Sequence, residues 1–292
     1  MKRYFPLRAS SYAFVESPGV TVRESPAAPT PVGRLLPRGP ASAPAGLHEV
    51  LVLKADRFYA DVLQDAVHQL VPGVAVRKGV TLDAARKALA EKPVDLLIAG
   101  IGFPDGDLLD PLAEWMAAGL VRRVLVVTGH KEPWLLQALR AIRVTGVFDP
   151  LADGPDVLRR TLCAVAAGAS SWSPTVVSEL QRCDSLPQSL SRALTPTEQL
   201  ILAVLGDGCD DQEASRQLGL RTGTILTVRR ELHRKLGVRQ KAELIRIAVQ
   251  HGFVRFVPGG AVRPGFNLLL AASTSKKIKA WLARNKGEQK AC

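Results

Sequence analysis

Acidic side chains are in short supply in this sequence: 27 Asp and Glu stand against 39 Lys and Arg over 292 residues, a formal net charge of +12. Cysteine is scarce too. Cys163, Cys183, Cys209 and Cys292 never fall at CxxC spacing, and His48, His68, His130, His233 and His251 form no close pair on a helix face. Neither a disulfide framework nor a metal site is indicated, no cofactor is expected, and the first three cysteines read as small packing residues. Long apolar runs are missing as well. The longest charge-free stretch, Thr161 to Ser178, is broken by Gly168, Ser170, Ser171, Ser173 and Pro174, so no membrane-spanning helix is expected. The basic N-terminus lacks an apolar segment followed by a small-residue cleavage site, which argues for the cytoplasm. What the chain does have is apolar material, 47% of residues, enough at this length for about two domains with cores of their own.

The cationic excess is uneven. Residues 48–185 are slightly acidic, whereas 186–254 and especially 255–292 are basic, with eight cations against one anion in the last segment. Clustered cations attract phosphates through counterion release, so an anionic partner is expected for the C-terminal half. Residues 1–46 carry eight prolines among Ser, Ala and Gly without a sustained apolar period, and disorder is expected there.

From Glu49 onward, short aliphatic runs alternate with stretches of helical spacing. The pairs are Val50–Leu53 and Phe58–Leu70, Val74–Val76 and Leu82–Ala90, Val94–Ile98 and Leu108–Ala118, Val124–Val127 and Pro133–Ile142, and Gly146–Phe148 and Pro155–Ala167. Five such units with continuously apolar strands imply a five-stranded parallel sheet covered on both faces, over residues 47–169. Its crevice should lie beyond the strands' carboxyl ends, at loops beginning near Lys54, Gly100, Thr128 and Asp149. Gly100-Ile101-Gly102 follows a strand, but Gly106 comes one residue late for a dinucleotide fingerprint and no helix opens in that loop.

Residues 170–193 lack a clean period and read as a linker. An all-helical module is expected over 194–257. Thr195-Pro196-Thr197-Glu198 is a capping box with proline at the first helical position, and Asp210-Asp211-Gln212-Glu213 is a second box opening a short helix that stops at Gly219. Thr222 caps a third helix ending at Gly237, and a fourth runs over Gln240–Gln250. A tight turn between the second and third spells a helix-turn-helix.

At this point the residues resemble a known family. Leu194-Thr195-Pro196-Thr197-Glu198, Gly208, Glu213-Ala214, Leu218, Thr224-Ile225 and Arg234-Lys235-Leu236-Gly237-Val238 resemble the LuxR-type DNA-binding domain. The five upstream units, ending in Ala164-Val165-Ala166-Ala167-Gly168, resemble the receiver domain of NarL/FixJ-type response regulators. The resemblance covers about residues 48–254. It implies a flavodoxin-like α/β domain followed by a four-helix DNA-binding domain, in a transcription regulator that is not an enzyme and that works as a homodimer on double-stranded DNA.

The receiver family uses an acidic pair after the first strand, an aspartate after the third, a Ser/Thr after the fourth and a Lys after the fifth. Acids hold Mg²⁺, the metal and Lys neutralise the phosphoryl oxygens, and the aspartate is the nucleophile. Aligned on the strand ends, these positions fall on Lys54, Ala55, Gly100, Thr128 and Pro150, and only Thr128 keeps its chemistry. Glycine has nothing to phosphorylate and a lysine opposes a cation. A degenerate receiver is therefore expected, independent of phosphate, serving dimerisation or an unidentified small ligand or protein partner. The alternatives are phosphorylation at a nearby Asp56, Asp105 or Asp107, or a protein–protein adaptor whose helix-turn-helix no longer reads DNA.

On the third helix, Ile225, Val228, Leu232 and Leu236 share a core face. The opposite face assigns Leu226, Thr227 and Arg230 to base edges in the major groove, and Arg221, Thr224 and Arg234 to phosphates. Arg229 stands where the family has a core valine; it adds a phosphate contact or is a solvated helix residue. On the fourth helix, Leu244, Ile247, Ala248 and Val249 or His251 pair two copies or close the core. The basic tail, 258–292, places Ile278, Trp281 and Leu282 on one stripe beside Lys276, Lys277, Lys279, Arg284, Lys286 and Lys290. It extends the phosphate footprint, touches an anionic membrane surface, or is merely solvated.

Overall fold

The computed structural model describes residues 47–185, 190–257, 259–273, 278 and 280. The expected disordered leader lies outside them, as do Lys276, Lys277, Lys279 and the tail from Trp281 onward. Among the described residues no helix is long and apolar enough to cross a membrane.

The first module alternates strand and helix: β1 (Glu49–Leu53), α1 (Arg57–Leu70), β2 (Ala75–Gly79), α2 (Leu82–Glu91) and β3 (Val94–Ala99). A small antiparallel hairpin follows, β4 (Gly102–Phe103) and β5 (Gly106–Asp107), then α3 (Leu109–Ala117), β6 (Val121–Val127), α4 (Pro133–Ile142), β7 (Gly146–Phe148) and α5 (Pro155–Ala166). The main sheet is parallel throughout, in the order β2-β1-β3-β6-β7 with one further strand at its edge. Successive side chains of a strand point to opposite faces, so Leu51, Leu53, Leu97 and Ala99 join the core shared with α2, α3 and α4, while Val50, Val52, Leu96 and Ile98 join α1 and α5. Both faces being buried is why these strands read as unbroken apolar runs.

The segment 170–193 is not simply a linker, and the sheet has six strands where five were expected. β8 (Ser171–Trp172) pairs parallel with β7, and α6 (Pro174–Ser185) buries Val176 and Cys183 against the module. Ser171 N–H donates to Thr145 O at 3.0 Å and Ser173 N–H to Val147 O at 2.8 Å, which satisfies an otherwise open sheet edge. Two residues are too few to show a period.

The second module contains a short turn of helix α7 (Leu190–Ala193), then α8 (Pro196–Gly206), α9 (Asp211–Leu218), α10 (Thr222–Leu236) and α11 (Lys241–Gln250). Thr195 and Glu198 form the reciprocal capping box at the start of α8, a helix buried on every side from Gln199 to Gly206. Asp210 caps α9, but Glu213 turns to Arg216 and Gln217 instead of completing a box. Thr222 does not cap α10: Arg221 holds that position without a side-chain bond. Gly219 and Gly237 end α9 and α10 in left-handed conformations, at φ of 60° and 66°, where a β-carbon would be strained.

The segment after the fourth helix is more than a tail. β9 (Arg255–Val257) and β10 (Gly260–Val262) form a hairpin, and α12 (Phe266–Ala272) buries Leu269 and Leu270 in the helical core. Ile278 is buried in the same core. These apolar residues complete the cover of α8, which four helices leave open.

This extension docks on the α/β module. Trp134, on α4, stacks on Phe253 with ring centroids 5.6 Å apart, and its indole N–H donates to Pro264 O at 2.7 Å. Asp110, on α3, accepts from the Asn267 and Leu268 N–H groups, capping α12 from the other module.

Candidate nucleic-acid interface

α10 owes its placement to one apolar stripe. Ile225 and Leu232 are fully buried, and Val228 and Leu236 pack beside them against α8 and α9. The face turned away carries the sequence-derived residues together: Arg221, Thr224, Thr227, Arg230 and Arg234 are exposed, and Leu226 is half-buried. Arg230 and Arg221 form no hydrogen bond or ion pair through their side chains among the described residues. Thr227 donates its hydroxyl to Gly223 O one turn back at 2.9 Å, leaving oxygen lone pairs and a methyl outward. Arg234 pairs with Glu231 at 2.7 Å on the exposed surface. Such a pair is weak and yields easily to a phosphate.

Arg229 takes neither expected role. It pairs with Asp211 of α9 at 2.6 Å and so ties the two helices of the motif together. Beside it, Arg229, Arg230, His233, Arg239 and Lys241 line a concavity of about 420 Å³ between α10 and the start of α11, a cationic surface continuous with the outward face of α10. Arg239 and Lys241 were not singled out from the sequence, although the charge count of this segment pointed to them. On α11, Leu244 and Ala248 are in the core and Ile247 packs against it. His251 is half-buried and its carbonyl accepts from Trp134 N–H at 3.0 Å, while Val249 stays exposed.

At the carboxyl ends of the strands the structure gathers Lys54, Gly100, Thr128 and Pro150. Lys54 reaches across the crevice, its ammonium donating to Val127 O at 3.2 Å and standing 5.0 Å from the Tyr59 ring. Burial pushes this ammonium below the ordinary lysine range, with the Asp56 charge opposing. Ala55 is exposed at the rim, and Thr128 is buried with its hydroxyl accepting from His130 N–H at 3.0 Å. Next to Pro150, the buried Asp149 pairs with Lys131 at 2.7 Å. Desolvation raises its carboxyl, but the Lys131 bond and charge and two backbone N–H groups outweigh that and hold it below the usual range. Sequence reasoning placed a loop at Asp149 and missed Lys131.

The nearby aspartates each hold structure in place. Asp56 caps α1 through Tyr59 N–H. Asp105 accepts from Leu82 and Asp83 N–H at the start of α2. Asp107 accepts from Leu109 N–H and pairs with Arg255 at 3.2 Å. Among the described residues no group of acidic, His and Cys side chains has the arrangement to hold a metal ion.

Residues 192–248 match the family described as bacterial regulatory proteins, luxR family. Over 166 residues the chain is 29% identical to the virulence factors putative positive transcription regulator BvgA of Bordetella pertussis, an alignment covering 56% of this chain and 78% of that protein. It is 23% identical over 181 residues to the transcriptional regulatory protein DesR of Bacillus subtilis, covering 62% and 85%. Among solved structures, RcsB of Salmonella enterica serovar Typhimurium bound to promoter P1flhDC superposes with a TM-score of 0.49 at 18% identity, over 70% of this chain and 98% of that one. The similarity to BvgA and DesR runs beyond the helix-turn-helix into the α/β module: the chain is a response-regulator-like protein that carries a LuxR-type DNA-binding domain.

Proposed function

We propose that the protein regulates transcription by binding double-stranded DNA as a homodimer in the cytoplasm, as a binding protein and not an enzyme, and that it does so independently of phosphorylation. The observation that carries this reading is the asymmetry of α10. One stripe is locked in the core while the other presents Arg221, Thr224, Thr227, Arg230 and Arg234 to solvent, with a cationic concavity alongside. In the helix-turn-helix docking mode such a face enters the major groove, where Arg230 reads guanine, Thr227 and Leu226 meet thymine methyls, and Arg221, Thr224 and Arg234 meet phosphates. The names of BvgA and DesR as transcription regulators support the same reading. Independence from phosphate is supported by the crevice, where Lys54 lies against Gly100 and the flanking aspartates are engaged as caps or ion pairs. Val249 on α11 is left exposed for pairing two copies, which would fit symmetric half-sites.

The test is a DNA titration of the full chain at two salt concentrations, on random and selected duplexes, against a Thr227→Ala, Arg230→Ala double variant. The expected result is sequence selection by the wild type, and salt-sensitive but unselective binding by the variant. If neither protein shows salt-dependent binding, the reading fails and the helix-turn-helix is an interaction module.

A further inference from the structure

A cavity of about 460 Å³ opens where the extension after α11 meets the α/β module. Ala55, Phe103 and Pro104 line one side, and Val257 and Val262 of the β9–β10 hairpin line the other. It lies beyond the carboxyl ends of β1 and β3. The strand order reverses between these two, since β2 follows on the far side of β1 and β6 on the far side of β3. Doubly wound sheets bind their ligands at that switch point, because the loops on either side diverge and leave a gap.

The walls are mostly apolar and the polar groups are few: Asp107 and Arg255, whose side chains are 6% and 18% exposed and meet at 3.2 Å. An apolar chamber with one convergent polar pair is the usual form of a small-molecule site. Among the described residues the Arg255 guanidinium bonds through its side chain to Asp107 alone, with the Glu132 charge also acting on it, and a guanidinium has five N–H donors, so it can take a second acceptor. A second full anion beside Asp107 is disfavoured unless one of the two carries a proton. Burial already pushes the Asp107 carboxyl up to about 6; Arg255, His130 and the Leu109 N–H pull it down, and Asp110 pushes it further up. An arriving monoanion is therefore balanced by a proton on Asp107, whereas a dianion such as phosphate is not.

We propose that this cavity binds a small monocarboxylate with an apolar body, its carboxylate held by Arg255 and its body against Phe103, Val257 and Val262. A ligand seated there touches both modules at once.

Calorimetric titration of the full chain at neutral pH tests this, with benzoate and cyclohexanecarboxylate as probes, benzamide as the neutral isostere, and two buffers of different ionisation enthalpy. Saturable binding of both carboxylates is expected, with uptake of about one proton. Benzamide should bind on the order of thirtyfold more weakly, and Arg255→Met should weaken benzoate by a similar factor. Val257→Trp fills the chamber while leaving both members of the ion pair in the sequence and should abolish binding, which keeps the test decisive if Arg255→Met does not fold. The proposal is overturned if neither carboxylate gives saturable heat, if benzamide binds as well as benzoate, or if Val257→Trp leaves affinity unchanged. None of these outcomes depends on DNA binding, so this site and the function proposed above stand or fall separately.

Discussion

Lys54 occupies the space that a side chain at Gly100 would enter: a β-carbon built on Gly100 would stand 3.1 Å from Lys54 Cδ and 3.3 Å from its Nζ. The absence of a side chain at one position and the long cation at the other are thus one feature. The glycine makes room for the lysine's stem, and the ammonium it admits reaches Val127 O.

That arrangement has a signature in stability. Burial holds the Lys54 ammonium below its ordinary value of 10.5, so in alkaline solution the unfolded chain keeps this proton when the folded chain has lost it. The group's contribution to stability therefore rises with pH, up to about that value. Compared with Lys54→Met, the wild type should gain relative stability as pH increases from neutral, read from urea unfolding midpoints. Parallel curves for the two proteins would show that Lys54 is not buried as a cation.

Asp107 runs the other way. A carboxyl pushed up to about 6 keeps its proton in the folded protein at pH values where the unfolded chain has released it. Its contribution is present at low pH and lost as pH rises from about 4 to about 6, on the order of 3 kcal/mol across that window. Asp107→Asn should match the wild type near pH 4 and exceed it at pH 7. Denaturant unfolding across this range reads the difference, and a constant offset would count against the buried acid.

Local signals carried most of this fold into the sequence. The capping box at Thr195, the Asp210 cap and the runs at Val50, Val94 and Val124 are decided by neighbours within a turn or a strand, so spacing reveals them. β8 is two residues long, and α6 buries only Val176 and Cys183, a stripe too sparse to stand out. The docking of the two modules was hidden for a different reason. Trp134 meets Pro264 at a separation of 130 residues, and no periodicity couples such positions. In the candidate site the same division holds: the outward face of α10 follows from helical spacing, while the Arg229–Asp211 pair joins two helices and had no local sign.

Trp134 tests that docking. Its ring stacks on Phe253 at an interplanar angle of 16°, and its N–H is satisfied by Pro264 O. Trp134→Ala removes a large apolar contact and leaves that carbonyl without its donor. A loss of about 3–5 kcal/mol is expected, as for other large-to-small changes in a core. The damage should be local to the extension: amide exchange over 251–272 should accelerate well before that of β1 and β3. Uniform acceleration across both modules would mean that they unfold as one unit and the contact is not a separable joint.

Arg229 separates structure from recognition within the motif itself. Its bond to Asp211 is partly shielded, the two side chains being 35% and 16% exposed, and the second carboxylate oxygen of Asp211 is buried without a partner. Removing the guanidinium leaves a largely buried carboxylate with no bonded cation at the junction of α9 and α10, a loss of about 1–3 kcal/mol after allowing for solvent. Arg229→Ala should therefore lower the melting temperature of the chain. The slope of DNA affinity against salt should stay unchanged at temperatures where the variant is folded, because no phosphate contact has been lost. Arg221→Ala should do the reverse, lowering that slope by about one contact with little effect on melting. If Arg229→Ala instead flattens the salt dependence and leaves melting untouched, the guanidinium leaves Asp211 for the DNA backbone in the complex, and the pair is a resting arrangement and not a brace.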